Sequence, residues 1–99
     1  MLTNSSLLKE HGYVNGKWVG DDAKSRFDVT NAYSNEVIST LPEMGKKETD
    51  EAIEAANNAW PEWKARTAKE RSIILKKWFD LIMANQEDLA ILMTAEQGK

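Results

Sequence analysis

The sequence contains no cysteine, a single histidine and only two prolines among 99 residues. Without cysteine there is no disulfide staple, no thiolate metal site and no thiol nucleophile. The lone histidine, His11, would act as a general base only beside a nucleophile or an orienting acid. Its local candidates are Ser5, Ser6 and Glu10, all on a short, weakly patterned stretch, so His11 reads as a surface residue. A metal site would have to be built from carboxylates, and no acidic run has the spacing of a calcium loop. The glycines, Gly12, Gly16, Gly20, Gly45 and Gly98, never fall into a phosphate-cradling spacing. An excess of basic charge is also missing: 13 basic residues against 16 acidic give a net charge of -3. Lys46-Lys47 and Lys76-Lys77 are isolated pairs, so neither nucleic acid nor a membrane surface is expected as a partner. The start "MLTNSSLLKEHGY" lacks the basic and apolar regions of a signal peptide, and no apolar run reaches the ~18 residues of a membrane span. A cytoplasmic location is the expectation.

What is present argues for a folded chain: 41% hydrophobic residues and four tryptophans. Residues 4–12 offer a cap at Asn4 or Ser5, two leucines and Gly12 as a stop, enough for a turn or two of helix. In "YVNGKWV" an Asn15-Gly16 pair sits between two apolar runs, the strongest short-range hairpin signal because both residues tolerate positive φ. "FDVTNAYSNEVISTLP" predicts a second hairpin, with Phe27 and Val29 alternating with polar residues, a turn over 31–35, and Val37, Ile38 and Leu41 on the way back. Pro42 ends that strand because it has no N–H for the ladder.

From Lys47 the apolar period changes from two to 3.6, and Ala52, Ile53, Ala56, Ala59, Trp60 and Trp63 share a face. Glu48, Asp50, Glu51 and Glu54 read as a solvated acidic face that compensates the helix dipole. Pro61 is expected to break or kink this helix at Trp60. "TAKE" supplies Thr67 and Glu70 as a capping box. The helix after it has an apolar face of Ile74, Leu75, Trp78, Phe79, Leu81 and Ile82, with Lys76 and Asp80 paired four apart on its wet side. Near Asn85 "NQED" offers a new cap with first-turn acids. Leu89, Leu92 and Met93 then form the last stripe, and Gly98 is placed to close it in the left-handed conformation. The fold class is therefore α+β: a β-hairpin region over 1–44, then a region of about three helices over 45–99.

No catalytic constellation emerges from these residues, but their order is informative. "YVNGKWV", "FDVTNAYSNEVISTLPEMG", "AWPEWKARTAKER" and "WFDLIMANQEDLAILMTAEQGK" resemble, in sequence and spacing, the amino-terminal region of aldehyde dehydrogenases. The likeness is greatest to bacterial succinate-semialdehyde dehydrogenases of 4-aminobutyrate breakdown. Ala32 and Asn35 stand where that family often has proline and glycine; Asn35 can still adopt the left-handed conformation its turn requires.

The resemblance implies that the chain is a partial piece of the cofactor-binding domain, with "MTAEQGK" as a truncation edge. In a complete enzyme it implies oxidation of an aldehyde to an acid with NAD or NADP. A cysteine thiolate attacks the carbonyl, hydride passes to the nicotinamide, and a glutamate-activated water releases the acid. The nucleophile, general base, oxyanion-stabilising asparagine and nucleotide turn belong to family segments after Lys99. No catalytic, cofactor-binding or metal residue is therefore assigned here, and the chain alone is expected to be inactive scaffold that binds no cofactor. Some relatives hold a monovalent cation through positions resembling Val29, Thr30 and Glu96 plus a later ligand. Without that ligand, Glu96 is expected to serve as a capping or inter-helix partner. The implied partners are the remainder of a dehydrogenase or intact subunits, complete members being homo-oligomers. A small module that docks onto such a subunit is the alternative reading.

Overall fold

The computed structural model describes residues 2–98. A 3-10 turn at Ser5–Leu7 is followed by β1 (Gly12–Val14), β2 (Lys17–Val19), β3 (Arg26–Thr30) and β4 (Val37–Pro42). Three helices follow: α1 (Lys46–Ala65), α2 (Ala68–Ala84) and α3 (Gln86–Gln97). The strands form two separate antiparallel hairpins, β1–β2 and β3–β4, and the fold is mixed α+β as expected.

Local chemistry sets both hairpin turns. Asn15 and Gly16 take φ of 53° and 76°, and Val14 faces Lys17 across the pair. In the longer turn, Asn31 Oδ1 accepts the N–H groups of Tyr33 and Ser34 at 2.8 and 3.2 Å, and Asn35 stands at φ 64°. The Asn31 side chain organises the turn that a proline would stiffen, and Asn35 takes the positive φ that a glycine would adopt without strain. A register shift follows Val29, which faces Ser39, so that Thr30 faces Val37 and Ile38 is the extra residue of a bulge.

The amino-terminal helix is shorter than its sequence suggests. It ends at Leu7, Leu8 is already extended, and Gly12 opens β1 rather than stopping a helix. Arg26 holds the approach to β1 by donating from Nη2 to the Glu10 carbonyl at 2.6 Å and to the Thr40 carbonyl at 2.9 Å.

Pro61 does not end α1, which runs through it to Ala65. Proline at this position forfeits the bond to the Asn57 carbonyl, but Asn57 lies on an exposed stretch where water can replace the lost donor. The face that α1 turns to the first hairpin also differs from the expected one. Ala52, Ala55, Ala56 and Ala59 line a recess with Tyr13, Val14, Asn15 and Gly16, whereas Ile53 is 62% exposed and is not among the lining residues. Small side chains let the helix approach the backbone of the tight turn.

Thr67 and Glu70 form the capping box. The Thr67 N–H donates to Glu70 Oε1 at 2.8 Å, and the Glu70 N–H donates to Thr67 Oγ1 at 3.1 Å. Asn85 serves both as the last cap of α2 and the first cap of α3. Its N–H and its Nδ2 both donate to the Leu81 carbonyl, and its own carbonyl accepts the Leu89 N–H at 3.0 Å. Gly98 closes α3 at φ 81° against the second turn, where a β-carbon would lie 2.7 Å from the Tyr33 nitrogen.

Among the described residues no large apolar side chain is fully buried; Pro42, Ser39 and Asp88 are the buried positions. The accessible surface is 8139 Å², about 2,400 Å² more than a compact monomer of this mass exposes. The radius of gyration is 16.6 Å, against about 13 Å for a compact domain of this length. The deficit concentrates on α2, where Ile73, Ile74, Leu75, Trp78, Phe79, Leu81, Ile82 and Met83 are all at least 40% exposed. At 3.6 residues per turn, Ile74 to Met83 span an arc of about 200°, roughly twice the stripe of an ordinary surface helix.

Candidate functional site

Polar side chains make the long-range ties in this molecule. Asp88, in the first turn of α3, is 7% exposed and is the sole buried charged residue among those described. Its Oδ1 accepts the Thr3 N–H at 2.9 Å and its Oδ2 accepts the Asn4 N–H at 2.8 Å. An ionised carboxylate is acceptor-only, so two successive backbone donors satisfy it without any cation. The helix dipole favours the same charge at this end. Asn4 extends the arrangement, since its Oδ1 accepts the Ser6 N–H at 3.1 Å and caps the 3-10 turn. The sequence marks Asp88 only as a first-turn acid; nothing local announces partners about eighty positions away.

His11 has an orienting acid, but a different one from those its neighbourhood suggested. Its Nε2 lies 2.6 Å from Asp21 Oδ1, with the aspartate side chain 92% exposed. Ser6 lines the same shallow recess together with Lys9, Glu10, Trp18 and Arg26. Among the described residues no hydroxyl is hydrogen-bonded to the imidazole, and the Ser6 hydroxyl donates to Asn4 instead. A base and a carboxylate without a nucleophile are not a hydrolytic triad.

The acidic residues at the start of α1 are less uniformly solvated than their pattern implied. Asp50 pairs with Lys46 at 2.6 Å, while Glu48 and Glu51 line a cleft of about 420 Å³ with Asp22, Glu43, Lys24 and Lys47. Apolar wall is supplied by Val14, Val19 and Met44. Four carboxylates against two ammonium groups make its mouth repel anions.

The positions compared with cation ligands lie on two elements, the end of β3 and the end of α3. Val29 and Thr30 end β3 at the bulge, and Glu96 is exposed in the last turn of α3. Gly98 brings that helix end against Ala32 and Tyr33. Among the described residues no cluster of three or more histidine or acidic side chains is arranged to hold a metal. No helix of the described residues is long and apolar enough to cross a membrane.

Residues 18–99 match the model of the aldehyde dehydrogenase family. The chain belongs to that family. It is 51% identical over 98 residues to the glutarate-semialdehyde dehydrogenase of Pseudomonas putida, covering 99% of this chain and 20% of that protein. Against the succinate-semialdehyde dehydrogenase [NADP(+)] of Escherichia coli the identity is 47% over 98 residues, again 99% and 20% of the two chains. A crystal structure of an E. coli NADP-dependent enzyme superposes with a TM-score of 0.92 at 48% identity, over 100% of this chain and 21% of that one. The chain thus spans about a fifth of the length of the relatives it matches, at their amino-terminal end.

The described residues of this aldehyde dehydrogenase chain do not fit a nicotinamide dinucleotide. The cleft at the start of α1 is rimmed by Asp22, Glu43, Glu48 and Glu51, which oppose a pyrophosphate. A glycine-rich turn is absent, and no cysteine is available as the family's nucleophile.

Proposed function

We propose that this chain is the amino-terminal scaffold of an NAD(P)-dependent semialdehyde dehydrogenase and holds none of its reacting groups. The substrate class is a semialdehyde of a four- or five-carbon dicarboxylic acid, oxidised to the diacid. Succinate semialdehyde, from 4-aminobutyrate breakdown, is the narrower candidate. Support for the class comes from relatives named for succinate and glutarate semialdehydes, with comparable identity to this chain. The scaffold role is supported by the bare arc of α2, whose side chains at 40% exposure or more match a helix made to rest on other parts of a larger fold.

The test is complementation. The chain is co-expressed with the P. putida enzyme shortened by the stretch that this chain matches, and reduced-cofactor absorbance is followed with each semialdehyde and each nucleotide. Turnover by the pair, and none by either part, is the expected result. Turnover by this chain alone, or a pair that neither associates nor reacts, overturns the proposal. The same bare arc favours a second reading, a small module docking onto an intact subunit. Co-purification with the full-length relative, without restored activity in the shortened one, would select it.

A further inference from the structure

The segment before β1 is attached at two points of different character. Its root is fixed where Arg26 Nη2 donates to the Glu10 carbonyl at 2.6 Å, beside the β3–β4 hairpin. Its tip is fixed where Thr3 and Asn4 give their N–H groups to the two oxygens of Asp88. Between these points the hydrogen bonds are local: Leu7 to Asn4, Leu8 to Ser5 and Ser6 to Asn4. Leu2, Leu7 and Leu8 are half-buried, so apolar contact supplements these polar ties.

We propose that residues 2–8 form a strap, closed over the start of α3 by the Asp88 carboxylate and able to open about its root at Glu10 independently of the hairpins and α1. The carboxylate is suited to this role because each oxygen takes one of two adjacent amides, so both donors are held or released together. It lies within the first turn of a helix, where its charge is favoured whether or not the strap is closed. Opening therefore exposes the carboxylate and two amides to water, together with the covered parts of Leu2, Leu7 and Leu8.

Amide hydrogen exchange on the full chain, read by NMR, tests this directly. In the unsubstituted chain the Thr3 and Asn4 amides should be protected. Asp88→Ala should lower their protection about tenfold to hundredfold, the range for losing a hydrogen bond to a charged acceptor. Asp88→Asn keeps one acceptor oxygen and the size of the side chain, so at least one of the two amides should lose protection while α3 stays protected. Glu87→Gln, an exposed neighbour, should leave both unchanged. Unprotected Thr3 and Asn4 in the unsubstituted chain, or protection that survives in both Asp88 variants, overturns the proposal. So does a loss that spreads equally to the hairpins and α1, because the strap would then not move by itself.

Discussion

The two ends of α3 and the middle of α2 solve the same problem in opposite ways. At α3, a buried carboxylate, two backbone amides, a left-handed glycine and a side-chain-organised turn bring together segments from both ends of the chain. On α2, eight large apolar side chains are each at least 40% exposed. The difference reflects the two kinds of force. A buried polar group must find its hydrogen-bonding partner or carry a full desolvation cost, so its contacts are completed within the chain. Apolar surface has no such obligatory partner and can wait for whatever segment arrives to cover it.

The largest expected effect breaks the comparison at α2. Trp78→Ala should change the stability of the chain alone by no more than about 0.5 kcal/mol, because the ring is already exposed. In the complex with the shortened relative the same change should cost about 3–5 kcal/mol, the usual loss for a buried aromatic. Denaturant titration of the chain and of the complex measures both, and equal small losses would show that α2 stays uncovered.

At the α3 corner the expectation reverses, since the contacts there are complete without a partner. Gly98→Ala forces a β-carbon into the left-handed region and to within 2.7 Å of the Tyr33 nitrogen. It should cost about 1–2 kcal/mol or slightly more, in the chain and in the complex alike. A cost seen in one of them only would place the Gly98 contact outside the fold described here.

The smallest effect concerns the cap of α2. The Thr67 backbone N–H, then its side chain, and to a lesser degree the charge of Arg66, hold the Glu70 carboxyl below its ordinary value of 4.5. A carboxylate with a lowered folded-state value adds stability that is complete above its ordinary pKa and is lost as pH falls through the lowered one. Helicity followed in acid titration should therefore show a small loss below pH 4.5 that Glu70→Gln flattens. Glutamine keeps the box, so the neutral-pH signal should hardly move.

The features legible in the sequence were those decided within four or five residues. Asn15-Gly16, Asn35, the Thr67–Glu70 pair and Gly98 each adopt the conformation their chemistry predicts, because the relevant donors and acceptors are neighbours in the chain. Features that depend on distant segments were not legible. The face of α1 is an exception, where Ala55 rather than Ile53 faces the first hairpin: Ala52, Ala55, Ala56 and Ala59 follow the helical spacing of i, i+3, i+4 and i+7, and only hydrophobicity admits Ile53, which lies one residue from Ala52. Pro61 failed as a breaker, and the residue whose carbonyl it orphans, Asn57, is exposed, so water can replace the lost donor. Asp88 looked like one more acid of a helix start, and Asp21 reaches His11 from the far side of the first hairpin.

Asn85 gives α2 and α3 a joint only one residue long, with no loop to absorb rotation. Mechanically the two helices are a bent lever. Whatever grips the Trp78 arm fixes the bearing of the other arm, and with it the pitch of the second hairpin turn seated on Gly98 and the anchorage at Thr3.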